Sequence, residues 1–341
     1  MAEATGPDAT TVGDTLSRIL VQGQQAYALI VAAQLGIADL LAEGPRRGEE
    51  LAATTGTHPR ALYRLLRALA GIGMFTILDD GRFALAPLGE PLRSNVPGSL
   101  RALAQYFAVE VQAWSALLYS VRTGASGWER ALGVGHYAYF AQNPEESAHF
   151  NAAMAAMTAG ALPDILAAYD FGGLGTVVDV AGGNGTLLAA ILQTYPHSRG
   201  ILLDLPHVVA EASPVLQAAG VADRCKIVAG DFLADLPVVA DAYILKNTLI
   251  GMNDAEAAQI LRRCHAAMGQ QSRLLVIGQL MGTGATPGPA ALSDLRMLVI
   301  MGKAEVRTEE ELRALLANAG LRITRIVATG RAGAIVEAVR T

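Results

Sequence analysis

Val177-Val178-Asp179-Val180-Ala181-Gly182-Gly183-Asn184-Gly185-Thr186 is the stretch that decides the fold. An apolar run of strand length ends in glycines and opens a helix. Glycines at that junction let a ligand approach the backbone closely and leave the N–H groups of the helix start free. A dinucleotide fingerprint needs G-x-G-x-x-G/A, but counted from Gly183 the sixth position is Leu188, and Walker A spacing is missing. Neither diphosphate reading holds. At the end of the second strand stands Asp204, 19 residues after Gly185, where a carboxylate can accept both hydroxyls of a ribose. Gly230-Asp231-Phe232 ends the next strand with a carboxylate for an exocyclic amine and an aromatic face for a base. The set fits a nucleoside without phosphates.

Working outward, apolar segments at 177–181, 200–205, 226–229, 242–249 and 274–280 have helical runs between most of them. Continuous apolar strands separated by helices predict an α/β doubly wound parallel sheet covered on both faces. Segments 321–328 and 333–339 read as an antiparallel closing hairpin. Upstream, the chain is helical. After a frayed start, Asp14 is an N-cap for a helix whose apolar residues Leu16, Ile19, Leu20, Tyr27, Ile30, Val31 and Leu35 recur at three- and four-residue steps. Helices at 51–55 and 59–70 precede a short hairpin, 75–78 and 82–85, around Asp79-Asp80-Gly81. Helices followed by a hairpin is the order of a winged-helix module. Helical segments 100–123 and 144–169 follow, interrupted by the glycine-rich 124–135. The expected division is a winged-helix dimerisation domain at 14–100, a helical linker and pocket roof at 101–170, and a nucleoside-binding Rossmann-like domain at 171–341.

The 341 residues are 52% hydrophobic and 17% charged, with a formal net charge of −5. That composition is ordered and globular, and its acidity argues against a nucleic-acid partner. Arg60, Arg64 and Arg67 share one helix face, an ordinary solvated stripe in an acidic chain. Segment 14–42 carries few charges, which predicts burial against a second copy in a homodimer. Two cysteines, Cys225 and Cys264, are too few for a disulfide framework or a cysteine-rich metal site. With no signal-like start, the chain reads as cytoplasmic. Apolar runs such as 165–168 and 274–277 break long before the ~20 residues of a membrane span.

On these residues the chain resembles the class I S-adenosylmethionine methyltransferases. More narrowly, it resembles the small-molecule O-methyltransferase family of caffeate-type plant enzymes and bacterial polyketide-tailoring enzymes. The matching pieces are FNAAM (150–154), DVAGGNG (179–185), LLDLP (202–206), GDF (230–232), ILK (244–246), ILRRC (260–264), DLRML (294–298) and RTEEE (307–311). The resemblance implies S-adenosylmethionine or S-adenosylhomocysteine as cofactor. It places Asp179 and Gly183 under the methionine part, Asp204 and Leu205 at the ribose, Asp231 and Phe232 at the adenine, and Lys246 reaching in from the fourth strand. Ala181 stands where many relatives have glycine. No metal is implied.

Family members with a catalytic histidine place it after the fourth strand, in a His-Asp-Trp-like context. Here that stretch is Leu249-Ile250-Gly251-Met252-Asn253-Asp254, and Ile250 cannot move a proton. The two supporting glutamates of the family fall on Gly278 and on Val306, beside Glu305. Three readings follow: methylation by proximity, without a base, of a bulky aromatic or polyketide-like metabolite; a non-methylating enzyme using the sulfonium as a fixed charge; and a cofactor-sensing winged-helix regulator. A base contributes about 10² to 10⁴ in rate, so replacements were sought among six histidines. His136 and His149, in the expected roof, are the candidates. Trp114, Asn151, Met154, Met157, Asn247, Ile250, Met297 and Met301 are the expected substrate lining, because methionines adapt to flat ligands.

Overall fold

The computed structural model describes residues 9–341 except 235, 237–239 and 285–287, with side chains from residue 12 onward. The chain divides into two compact units, 1–109 and 110–341, and the division falls inside helix Arg101–Trp114.

In the first unit, helices Ala9–Gln34, Ile37–Ala42, Gly48–Thr55 and Pro59–Ala70 precede the antiparallel hairpin of β1 (Phe75–Ile77) and β2 (Phe83–Leu85). The first helix starts at Ala9, ahead of the expected Asp14 cap. Pro59 at the first helical position and the His58 ring, which accepts from Ala61 N–H, start the fourth helix, and Leu62, Leu66 and Leu69 bury its apolar face. Asp39 accepts from Ser94 N–H at 2.8 Å and from the Arg101 guanidinium, tying the end of the unit to its second helix. Leu16, Ile19 and Leu20 are 57–77% exposed, an uncovered apolar stripe on the first helix.

The second unit is built on a seven-stranded sheet, β3 (Thr176–Val180), β4 (Arg199–Asp204), β5 (Cys225–Ala229), β6 (Ala242–Lys246), β7 (Arg273–Gly278), β8 (Leu321–Thr329) and β9 (Gly333–Arg340), in the order β5-β4-β3-β6-β7-β9-β8. β3 to β7 are parallel, and β9 runs antiparallel to both neighbours, the expected closing hairpin. Alternation along the central strands fills two cores. Tyr243, Leu245, Leu274 and Val276 face helices Asp254–Ala267 and Glu309–Asn318, while Ile244, Leu275 and Ile277 face helices Pro144–Ala168 and Thr186–Thr194. Each such side chain contributes about 1.5–3 kcal/mol by burial, which is why these runs are apolar without interruption.

Three expectations are corrected. The interruption at 124–135 contains a helix, Gly127–Leu132, because Ser126 caps its N-terminus through Glu129 N–H (3.1 Å) and Gly133 ends it in the left-handed conformation. The helical run at 100–123 breaks after Trp114 and resumes as Leu117–Thr123. The third concerns membrane spans. Helix Pro144–Ala168, with a mean hydropathy of 1.2, is long and apolar enough to cross a membrane by length and composition. Alanines and methionines supply that apolarity, and the helix packs on helix Thr186–Thr194 and β8.

Candidate active site

The strand order reverses between β3 and β6, so their C-terminal ends open a crevice of the kind that takes ligands in doubly wound sheets. Both strands end under strain there. Ala181 (φ 57°) and Asn247 (φ 55°) are the two non-glycine residues with positive φ among those described. Each is held by the neighbouring ladder, Ala181 N–H to the Leu203 carbonyl and Asn247 N–H to the Ile277 carbonyl, both at 2.8 Å. The residue after each strand is thereby bent out of the sheet toward the crevice.

Asp179 is 1% exposed, and neither carboxylate oxygen has a hydrogen-bond partner among the described residues. Burial pushes its pKa up to about 7; the Lys246 ammonium pulls against this, and the Asp204 carboxylate adds to it. A buried carboxylate without a donor costs stability unless something binds it. The glycine loop beside it is tight on one side and open on the other. A Cβ at Gly182 would stand 2.5 Å from Leu202 Cδ1 and 2.6 Å from Asp179 Cγ, whereas Gly183, with φ at 64°, faces open space. Asp204 takes Gly183 N–H on one oxygen (2.8 Å) and Leu205 N–H on the other (2.7 Å), so each retains a lone pair for a hydroxyl. Its burial raises the pKa while those two N–H groups lower it. This donor set fits an aminoacyl nucleoside cation: an unpartnered carboxyl group, a cradle without side chains, and a second carboxylate fixed at the end of the adjacent strand.

Lys246 donates to Thr158 Oγ1 at 3.0 Å, and the Thr158 hydroxyl in turn donates to the Met154 carbonyl at 2.8 Å, which joins the end of β6 to helix Pro144–Ala168. Burial lowers the Lys246 pKa, and Asp179 opposes that. On the same helix Asn151 reaches Glu211 at 3.5 Å, and Met157 is exposed. Asp231 is exposed and accepts from Leu233 N–H at 2.8 Å; Phe232 is half-buried against the sheet core.

The three positions at which the family's proton-moving residues were expected come together. Ile250, in the 3-10 turn Leu249–Gly251, lines a small open cleft of about 40 Å³ with Asn247, Gly278, Gln279, Glu305 and Val306. Val306 is buried and Glu305 exposed. Arg307, 5% exposed, donates to the Leu249 and Met252 carbonyls, each at 2.9 Å, and to Asp254, pinning the turn from beneath. Met301 Cε would lie 3.9 Å from a methyl placed on Gly251, and Met297 is buried on the same helix. Trp114 Nε1 donates to the buried Glu110, whose two oxygens take Arg296 Nε and Nη2 at 2.7 Å, so the Trp114 helix is bolted to helix Ala290–Met301.

The two histidines lie off that cleft. His136 is 6% exposed among Trp128, Tyr137, Phe140 and Phe150, with ring centroids 4.6–5.3 Å away. Burial and then the Arg296 charge bring its pKa down to about 3, which keeps the ring neutral. His149 is half-buried with Nδ1 3.5 Å from Glu146. Sequence reasoning gave no role to Arg307, Thr158 or Tyr137. A lone arginine in a charged motif and a tyrosine beside a histidine carry no periodic signal.

Comparison with known proteins fits this geometry. A profile of the O-methyltransferase domain matches residues 114–322, and one of the O-methyltransferase dimerisation domain matches residues 25–94. The chain is 41% identical over 328 residues to a phenazine O-methyltransferase of Lysobacter antibioticus, covering 95% of this chain and 96% of that one. It is 40% identical to a mitomycin biosynthesis 6-O-methyltransferase of Streptomyces lavendulae, covering 93% and 91%. Among solved structures, an O-methyltransferase from neocarzinostatin biosynthesis, in complex with S-adenosyl-L-homocysteine and 1,4-dihydroxy-2-naphthoic acid, superposes with a TM-score of 0.82 at 33% identity, covering 93% and 96%.

Proposed function

Because this chain belongs to the O-methyltransferase family, an S-adenosylmethionine-dependent group of enzymes with a dimerisation domain, we propose that it methylates a hydroxyl of a bulky aromatic metabolite without a side-chain base. The observation that supports the base-free part is the lining of the cleft, where Ile250, Gly278 and Val306, at the positions expected for the family's histidine and two glutamates, come together and none of them can move a proton. When bound, S-adenosylmethionine supplies an electrophilic methyl group on a sulfonium centre. The protein's part is to bind and to align.

Asp179, with Gly183 above it, receives the cationic methionine portion; Asp204, held by Gly183 and Leu205 N–H, accepts the ribose hydroxyls; Asp231 and Phe232 take the adenine; and Lys246 fixes the roof helix through Thr158. The acceptor lies on the apolar surface of Met154, Met157, Met297, Met301 and Ile250, with Trp114 behind and Asn151 and Asn247 as polar points. His136, neutral and caged, supports the aromatic cluster, and His149, beside Glu146, takes no proton from the acceptor; His136→Phe with unchanged turnover would fit the first assignment. Two free cysteines suit a reducing, cytoplasmic compartment.

The experiment is incubation of the purified protein with methyl-labelled cofactor and a panel of hydroxylated polycyclic aromatics. Labelled product supports the reading. An altered but unlabelled product with intact cofactor would overturn it in favour of the sulfonium acting as a fixed charge.

A further inference from the structure

We propose that the Tyr137 hydroxyl is the polar group that meets the acceptor oxygen, in the space left where base-using relatives carry a histidine. The inference rests on the methyltransferase reading and deepens it. Tyr137 is the second residue of helix His136–Gln142, whose start is fixed by the packing of His136 against Trp128, Phe140 and Phe150. The Tyr137 ring meets His136 edge-on as well, at 5.1 Å between centroids. A methyl on Gly251 would stand 3.3 Å from the Tyr137 oxygen, so the hydroxyl rests on the turn that carries Ile250, with Met301 alongside.

Two further observations say what the hydroxyl faces. Tyr137 is 61% exposed, and among the described residues no hydrogen bond to its oxygen is found. Yet its phenol pKa is raised, first by burial and then by the carboxylates of Asp204 and Glu256. An exposed hydroxyl without a bonding partner among the described residues, seated on the Gly251 turn, is open to a ligand there. The composition of the turn fits the same conclusion. Where the family context is His-Asp-Trp-like, this chain has Ile250, Gly251 and Met252, and the absence of a side chain at Gly251 is what admits the phenol.

A phenol is protonated at neutral pH, so Tyr137 donates a hydrogen bond rather than accepting a proton. A donor aimed at an aryl oxygen favours the ionised form of that oxygen. The acceptor's own proton leaves to water, and the phenolate is held in place by Tyr137. The neutral His136 ring beside Tyr137 takes no proton in this scheme.

The test is an absorbance titration of 1,4-dihydroxy-2-naphthoic acid bound to the full-length protein in the presence of S-adenosylhomocysteine. On the unaltered protein its hydroxyl should ionise about one pH unit or more below its value in free solution. Tyr137→Phe keeps the ring, so it should still bind the naphthoate. It should return the midpoint toward the free value and lower turnover by roughly tenfold, with KM changed by less than about threefold. Gly251→Ala, which crowds the hydroxyl without removing it, should give an intermediate midpoint. An unchanged midpoint and turnover in Tyr137→Phe, or no saturable uptake of the naphthoate by the unaltered protein, would overturn the proposal. Calorimetric binding of S-adenosylhomocysteine separates the two failures: it persists if only the Tyr137 assignment is wrong, and is lost if the methyltransferase reading is.

Discussion

β3 and β6 lie side by side, run parallel and end at the same crevice, but their ends are opposite in chemistry. The end of β3 keeps a buried carboxylate without a donor, a strained Ala181 and a loop in which Gly182 tolerates no side chain. The turn after β6 presents Ile250 and Gly251 over a cleft whose other expected proton carriers are Gly278 and Val306. The contrast teaches that binding an electrophile and activating a nucleophile are separable tasks. The first cannot be relaxed, because a cationic nucleoside needs fixed charge and a close backbone. The second can, if an acceptor is acidic enough or is held by a hydrogen-bond donor.

The contrast breaks most directly at Gly182. Gly182→Val should abolish measurable cofactor binding, a loss of about 100-fold or more, and cost about 1–3 kcal/mol of stability, because Leu202 and Asp179 occupy the space. Calorimetry and thermal melting read the two effects. If the variant bound normally, the cradle would be misassigned.

Asp179 comes next. Its pKa is raised from 3.8 to about 7 on folding, so the folded apo-protein binds a proton that the unfolded chain has already released in that interval. Stability should therefore fall as pH rises from about 4 to about 7, by on the order of 4 kcal/mol at most. Asp179→Asn should flatten that slope in a pH series of denaturant melts while weakening cofactor binding roughly 30-fold, since a charge-assisted contact is worth about 1.5–3 kcal/mol. An unchanged slope would mean that the carboxylate has a partner after all.

Arg307 sharpens the other side. Arg307→Ala leaves the Leu249 and Met252 carbonyls without their donor and should cost about 2 kcal/mol, with a matching drop in kcat/KM as the turn loosens. Wild-type stability in that variant would show the pin to be superfluous. The smallest effect is expected at Ile250. Ile250→Ala should change turnover by less than about fivefold, where loss of a true base costs about 10² to 10⁴; a collapse of that size in steady-state rates would return proton chemistry to this turn.

Much of this was legible in residues alone. Strand runs such as 177–181 and 274–280 announced a sheet buried on both faces, and the observed strands lie within one or two residues of them. Segment 242–249 was the exception: β6 stops at Lys246 because Asn247 turns to positive φ, and nothing in an apolar string records that. The helix Gly127–Leu132 was hidden among glycines, of which Gly133 ends it while Ser126 caps its start. Asp179, Asp204 and Lys246 could be singled out because they lie at or near strand ends, where one-dimensional position maps onto the crevice.

Position along the chain thus determined the sheet, the glycine loop after β3 and the lack of a histidine in the turn after β6, since each depends on local spacing and residue type. Tertiary structure alone decided what surrounds that absence: that Ile250, Gly278 and Val306 share one cleft, that Arg307 holds it from below, and that Tyr137, more than a hundred residues earlier, rests its hydroxyl on Gly251. Such neighbours are set by how helices pack across the ends of the strands, and packing joins residues whose separation in sequence carries no periodic trace.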